Sequence, residues 1–406
     1  MAFTSTATIS KQRLYYVDWL RVLAMLGIFF FHNARFYDVF TDWHVRNATT
    51  NLGASALVAF MSQWIMPLFF LIAGVGTYYA LKSRQPGQYV QERTLRLLVP
   101  LVFGMLVIVV PQAYYQALYQ GFDLSGYNFL QIYGLYLQTL PDLEFFHLWF
   151  LVDLFLFSII TLPLFLNTDS SGNSIFSRLA TAINKTWVLV LVLVLSIAIV
   201  NMLIYPDGYW GYRNGGWNII AYLLFFFFGY LIFANPKFME TIGKLRWITL
   251  GIAIIVFPSM IALFLDELAE PVSHFGSTSF AITSLLQSLN TWAWLLAILG
   301  LGSRFLNRNN RFLSYSNEAV LPFYILHQTV IISIGFYVVQ WSVGIGLKYL
   351  VISTTSFLAI MLIYEFLVRR INVIRFLFGM RLKLKPTGEL TNLQSSLGRE
   401  NVSIKE

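Results

Sequence analysis

The chain reads as an all-α polytopic integral membrane protein with about ten transmembrane helices and both termini in the cytoplasm. Three observations predict this. Of 406 residues, 57% are hydrophobic and only 11% charged, against about 25% charged in an average soluble domain. About ten apolar stretches are long enough to cross a hydrocarbon core that needs ~20 residues. Lysine and arginine, finally, are divided unequally between alternate loops.

The expected spans are 18–38, 54–81, 95–118, 147–166, 187–204, 217–234, 247–265, 279–300, 319–340 and 347–368. One set of loops carries Lys11 and Arg13, then Lys82, Arg84, Arg93 and Arg96, then Arg178 and Lys185. It continues with Lys237, Lys244 and Arg246, then Arg304, Arg308 and Arg311, and a basic run from Arg369. The alternate set holds Arg46, Arg213 and Lys348, with Arg35 at a span end. By the positive-inside bias the first set, and with it both termini, faces the cytoplasm. The net charge of +8 is therefore topology signal, and no nucleic-acid partner is expected. The first apolar run carries Asp18 and Arg21 with no small-residue cleavage site after it, so it reads as an uncleaved span. Residues 13–370 form one transmembrane domain, and the polar stretch 381–406 reads as a disordered cytoplasmic tail.

With no cysteine, the chain has no disulfide, zinc-thiolate site or thiol nucleophile. No phosphate-binding glycine loop and no clustered metal-ligand spacing is present, so no metal is expected. The sequons at Asn47, Asn184 and Asn401 support no claim of glycosylation.

The first span is the most informative element. Arg21 and His32 lie eleven positions apart, about three helical turns, which sets them on one face roughly 16 Å apart. Asp18 and Arg35 share that side. A charge in the bilayer core costs about 3 kcal/mol on insertion scales, so this stripe must face protein or water.

Further elements carry candidate chemistry. The loop Lys82 to Arg96 leads into the third span; its charge is explained by topology, or equally by an anionic ligand gripped by Arg93 and Arg96, which are i, i+3 neighbours. The tyrosine-rich segment 112–146 has no Lys or Arg and reads as an interfacial aromatic belt, or else as a platform for sugar rings. His147 at the fourth span and His327 in the ninth, each taken alone, read first as interhelical hydrogen bonds. Asp153 and Glu365 are isolated carboxylates suited to neutralising a buried arginine. Trp149 and the aromatic runs 29–31 and 225–228 read as lipid- or core-facing.

Four blocks resemble the type-3 family of membrane acyltransferases, in the branch of glucan biosynthesis C-like proteins. They are YVDWLRVLAMLGIFFFHNARF, QERTLRLLVPLV, HLWFLVDLFLF and FLSYSNEAVLPFYILHQTVI, spread over roughly residues 13–370. The resemblance implies transfer of an acyl group, acetyl or succinyl in type, from acyl-coenzyme A to a hydroxyl of a carbohydrate or lipid-linked acceptor. The donor is a substrate, and no permanently bound cofactor is implied. By matching position the catalytic candidates are His32, Arg21, Glu318 and His327. His32 would act as general base, with direct acylation of its ring as a variant. Arg93, Arg96 and Arg311 are candidates for the coenzyme's phosphates, and Arg35, His147 and Trp149 for substrate contact. The stripe and a neighbouring ninth-span group, His327 or Glu318, are expected to share one internal cavity. A transporter or flippase of glycans or lipid-linked sugars is the rival reading, but it favours repeated halves and paired broken helices, and neither is evident. A non-catalytic assembly subunit is the third, and it should tolerate loss of His32.

Overall fold

The computed structural model describes residues 13–40, 43–140, 145–167, 186–207, 215–263 and 265–383. The described residues are helical and contain no strand. The principal helices are α1 (Tyr15–Ala34), α2 (Leu52–Ser62), α3 (Ile65–Leu81), α4 (Pro86–Arg93), α5 (Val99–Phe103), α6 (Val110–Tyr119), α7 (Phe129–Thr139) and α8 (Trp149–Ile160). They continue with α9 (Leu162–Leu166), α10 (Thr186–Leu203), α11 (Ile219–Ala234), α12 (Pro236–Leu263), α13 (Thr278–Phe305), α14 (Arg311–Val338), α15 (Ile345–Ile363) and α16 (Asn372–Leu377).

Among the described residues six helices are long and apolar enough to cross a membrane, or seven if the bent pair Pro86–Ile108 and Val110–Tyr119, which turns by 44°, is one span. The other three expected spans fall on shorter apolar helices, Phe146–Ile160, Trp187–Leu203 and Ile219–Ala234. Several boundaries differ from those read in the sequence. The first helix stops at Ala34, so Arg35 and Asp38 lie in the loop that follows. The 28-residue helices α12 and α14 are each about 42 Å long, longer than a hydrocarbon core. Lys237, Lys244, Arg246 and Arg311 therefore sit on helix rather than in loops. The expected tail, beyond its first three residues, lies outside the described residues, as do Lys11, Arg178, Lys185, Arg213 and the sequons at Asn184 and Asn401. Asn47 is buried, donates to Thr49 and accepts from Lys348.

Close helix packing rests on small residues, as it does in membranes generally. Gly74 on α3 and Gly229 on α11 meet reciprocally: a Cβ on Gly74 would strike the Phe226 carbonyl, and one on Gly229 the Leu71 carbonyl.

The third span is irregular for a reason legible in its chemistry. It contains two π-helical turns, Thr94–Leu98 and Gly104–Ile108, a feature common near functional sites. In the second turn the Val109 amide reaches back to Gly104 O at 2.9 Å, an i→i−5 bond. In that register the Leu106 carbonyl would look to residue 111, a proline with no N–H. Tyr133 on α7 donates its hydroxyl to Leu106 O (3.1 Å), and Tyr136 donates to Met105 O (2.5 Å). These two tyrosines thus cap carbonyls at the distorted turn rather than offering their hydroxyls to a sugar. Tyr115 hydrogen-bonds Tyr337, and only Tyr119 of this segment's tyrosines lines the cavity described below.

Helices α1 and α14 run side by side in the same direction. Arg21 meets Asn317 at 3.2 Å near one end, Phe29 meets Phe323 edge-on at 5.5 Å further along, and His32 meets His327 beyond that. Two polar levels, an arginine level and a histidine level, are thereby held in register across the pair.

Candidate active site

The histidine level borders a cavity of about 810 Å³. His32, Arg35, Trp43, His44, His147, Trp149, Tyr324 and Gln328 are among its walls. The three span histidines stand side by side in a chain: the His32 and His327 ring centroids are 5.1 Å apart with the planes tilted by 41°, and those of His327 and His147 are 5.2 Å apart and edge-on. His327, fully buried, stands behind the other two rather than on the cavity wall.

Backbone carbonyls of α14 set the tautomers. His327 Nδ1 lies 2.5 Å from Tyr324 O and His147 Nε2 lies 3.0 Å from Ile325 O. Only an N–H can satisfy a carbonyl, so these nitrogens are donors. In the neutral imidazoles the opposite nitrogens, His327 Nε2 and His147 Nδ1, are lone-pair atoms, and both are buried with no hydrogen-bond partner among the described residues. His32 Nδ1 is likewise buried without a partner. Tyr324 returns a hydrogen bond from its hydroxyl to the His147 carbonyl. Phe146, just before His147, has φ 44°, a left-handed conformation rare for a bulky residue and of a kind that clusters at functional sites.

The loop after α1 lines the cavity with Phe40, Trp43, His44 and Arg46. Trp43 stacks on His32 with centroids 5.2 Å apart and planes 15° apart, and the Arg35 guanidinium lies over the Trp43 ring at 5.3 Å. Arg35 also pairs with the buried Asp38 at 2.8 Å, and Arg46 donates to the Asp38 carbonyl oxygen. Burial raises the Asp38 carboxyl above its ordinary range, against the opposing pull of Arg35 and Arg46.

At the arginine level, Arg21 bonds Asp18 and Asn317, each at 3.2 Å, and Arg13 bonds Asp18 at 2.8 Å. Arg93 donates to Thr77 and covers the Tyr89 ring. Arg93 and Arg96 lie within electrostatic reach of Arg21, and Arg381 within reach of Arg96. With Arg84, which pairs with Glu92 at 2.8 Å, six guanidinium groups gather around the two carboxylates Asp18 and Glu92.

The acyltransferase-3 family, described as an acyltransferase domain, matches residues 14–365. The chain belongs to this family. It is similar to the glucans biosynthesis protein C of Escherichia coli K12, with 24% identity over 347 residues, 81% of this chain and 85% of that protein. The protein of the same name from E. coli O157:H7 shows the same identity and coverage. No solved structure matches. The chain is accordingly a multi-pass membrane acyltransferase acting on groups other than amino-acyl groups.

With the family in place, the sequence-derived candidates divide by location. His32, His147, Trp149 and Arg35 line the cavity, and His327 stands directly behind it. Arg21, Arg93 and Arg96 come together at the arginine level and are not on the cavity wall; Arg311 is exposed at the start of α14. The expectation that Arg21 shares the His32 cavity is therefore corrected. The three helical turns that align the two side chains also separate them. Glu318 does not approach the cavity either. It pairs with Arg375 at 2.9 Å and Arg369 at 3.7 Å, nine residues or about 13.5 Å along α14 from His327. Glu365 does neutralise an arginine, Arg369, whereas Asp153 lies near Tyr222 and Tyr324.

The sequence reading assigned no role to His44, Trp43 or the glutamines around them. Gln112 and Gln116, amides at i, i+4 in an otherwise apolar segment, are the signal that pointed there, because a polar side chain at membrane depth needs a partner.

Proposed function

We propose that this acyltransferase moves an acyl group of acetyl or succinyl type from acyl-coenzyme A to a hydroxyl of a carbohydrate or lipid-linked acceptor in the bacterial cell envelope. The supporting observation is the His32 imidazole on a cavity wall, backed by two further histidines, in a chain of this family.

The remaining assignments follow from that reading. The ten apolar segments all cross the plasma membrane, and both termini are cytoplasmic by the positive-inside bias. The arginine level then faces the cytoplasm, where Arg21, Arg93 and Arg96 hold the coenzyme's phosphates in forked hydrogen bonds. The pantetheine arm spans the roughly 16 Å to the histidine level. There a neutral His32 takes the proton of the acceptor hydroxyl as its oxygen attacks the thioester carbonyl carbon. The carbon–sulfur bond breaks, and the coenzyme thiolate leaves with the proton returned by His32. Trp149 and Trp43 offer apolar faces to a sugar ring, and Arg35 a cation to an acidic group.

The test is incubation of membranes holding the protein with radiolabelled acetyl- and succinyl-coenzyme A, followed by fractionation of envelope glycans and lipids. Label in a glycan or lipid-linked sugar, absent from membranes lacking the protein, is the expected result. Label in neither fraction with either donor overturns the reading.

A further inference from the structure

The loop histidine His44 has an unusual set of partners. Its Nδ1 lies 2.6 Å from Gln116 Oε1, while its Nε2 lies 2.8 Å from Gln328 Nε2 and 3.1 Å from Gln112 Nε2. The Gln112 amide is oriented by Thr329, whose hydroxyl donates to its Oε1 at 3.4 Å. Two amide donors converge on Nε2, so that atom must be the lone pair, and Nδ1 must carry the hydrogen that Gln116 accepts. His44 is thus held neutral in one tautomer. It ties the loop to α6 through Gln112 and Gln116, and to α14 through Gln328, the residue next to His327.

Its chain neighbour Trp43 has no comparable anchor. The indole Nε1 is buried without a hydrogen-bond partner among the described residues, so the ring's position over His32 depends on packing and on the chain that carries it. Other tethers of this loop lead elsewhere: Arg46 to the Asp38 carbonyl, the Asn47 amide to the Phe36 carbonyl, and the Asn47 side chain to Lys348 on α15. The His44 bonds fasten the loop to the helix that bears His327.

We infer that His44 is a positioning residue for acyl transfer. It holds Trp43 against His32, so that the base keeps one ring orientation between the indole and His327. This rests on the proposed role of His32. A purely structural histidine would also be well bonded, but its loss would lower the amount of folded protein without changing turnover per folded molecule.

The test uses the full-length protein in membranes, with transfer from radiolabelled acyl-coenzyme A normalised to folded protein. His44→Phe keeps the ring and removes both nitrogens. It is expected to lower kcat tenfold or more with KM for the donor within twofold, and to raise hydrogen–deuterium exchange in residues 43–47. His44→Gln restores an acceptor for the Gln328 and Gln112 amides and is expected to recover at least a third of the lost turnover. In a Trp43→Ala background, His44→Phe is expected to cost less than a further twofold, because His44 acts through that indole. Unchanged kcat in His44→Phe overturns the inference, and so do effects of Trp43→Ala and His44→Phe that simply multiply. If His44→Phe does not fold, His44→Gln decides: wild-type kcat with faster exchange in 43–47 overturns the inference. A wild-type protein with no transfer, or an active His32→Ala, defeats the functional reading instead, while loop exchange still reports whether His44 anchors Trp43.

Discussion

His32 and His327 stand ring to ring, 5.1 Å between centroids, on two helices that run in the same direction. Eleven residues before His32, and ten before His327, Arg21 and Asn317 meet at 3.2 Å. The shared register makes the helix pair a rigid frame with two polar levels. The lower level is rich in guanidinium groups, and the upper presents imidazoles to a cavity. The proposed chemistry requires both, because a polyanionic coenzyme and a base must be held a fixed distance apart.

A substitution at the lower level should separate binding from chemistry. Arg21→Lys keeps the charge and loses the planar fork. It is expected to raise KM for acyl-coenzyme A about tenfold with kcat changed less than threefold, as read by initial rates against donor concentration. A fall in kcat alone would place Arg21 in the chemical step.

Glu318 tests the opposite assignment. Its ion pairs tie α14 to Arg375 on α16 and to Arg369 just before that helix. Glu318→Gln is expected to lower thermal stability by about 1–2 kcal/mol, while transfer per folded molecule stays within threefold of wild type. A hundredfold loss of turnover without loss of stability would return Glu318 to the catalytic group.

The π-helical turn makes a stability prediction. Tyr136 is buried and caps the Met105 carbonyl, whereas Tyr133 is more exposed and caps Leu106. Replacing Tyr136 by Phe strands a buried carbonyl and is expected to cost about 1–3 kcal/mol. Tyr133→Phe should cost less, since its hydroxyl is the less buried of the two and its hydrogen bond is the longer, at 3.1 Å against 2.5 Å. Thermal unfolding in detergent ranks the two, and equal effects would contradict the account.

Acidification should loosen the loop over the cavity. Burial lowers the His44 pKa to about 4, opposed by the Gln116 hydrogen bond and assisted by the nearby Arg35 charge. The groups that face it are the amides of Gln112, Gln116 and Gln328, with His32, His147 and Arg35 in electrostatic reach. A detached loop returns His44 to its ordinary value near 6.5 and takes up a proton that the docked loop refuses. Docking is therefore strongest above pH 6.5 and weakens as pH falls toward 4, by about 1.4 kcal/mol per unit. Hydrogen exchange in residues 43–47, corrected for its intrinsic pH dependence, should be faster at pH 5 than at pH 7. No change would contradict the assignment of His44 as a buried neutral group.

The helical class and the apolar segments were legible in the sequence because hydropathy acts locally. The Arg21 to His32 stripe was legible for the same reason, since helical periodicity alone aligns those residues. Depth was not. Whether two groups on one face share a cavity depends on what packs between them, here Phe29 against Phe323. Which ninth-span group reaches the cavity stayed open between His327 and Glu318, because the arginine partners of Glu318, Arg369 and Arg375, follow it by more than fifty residues. The two tyrosines of α7 read as part of an aromatic belt or a sugar platform; that their hydroxyls bond carbonyls of a π-turn in a different helix was not legible, because the turn lies some thirty residues earlier in the chain. His44 escaped notice because its three glutamine partners come from helices far along the chain.

The central claim is that His32 is the base of acyl transfer. The most direct measurement is the rate of transfer from radiolabelled acyl-coenzyme A in membranes carrying His32→Ala at matched expression. His147→Ala serves as a comparison, because that side chain bonds the Ile325 carbonyl. Loss of a general base costs about 10²–10⁴-fold in rate, so His32→Ala should fall at least a hundredfold while folding and insertion persist, and His147→Ala should be milder. Near-normal transfer by His32→Ala would contradict the account and leave His32 a structural histidine.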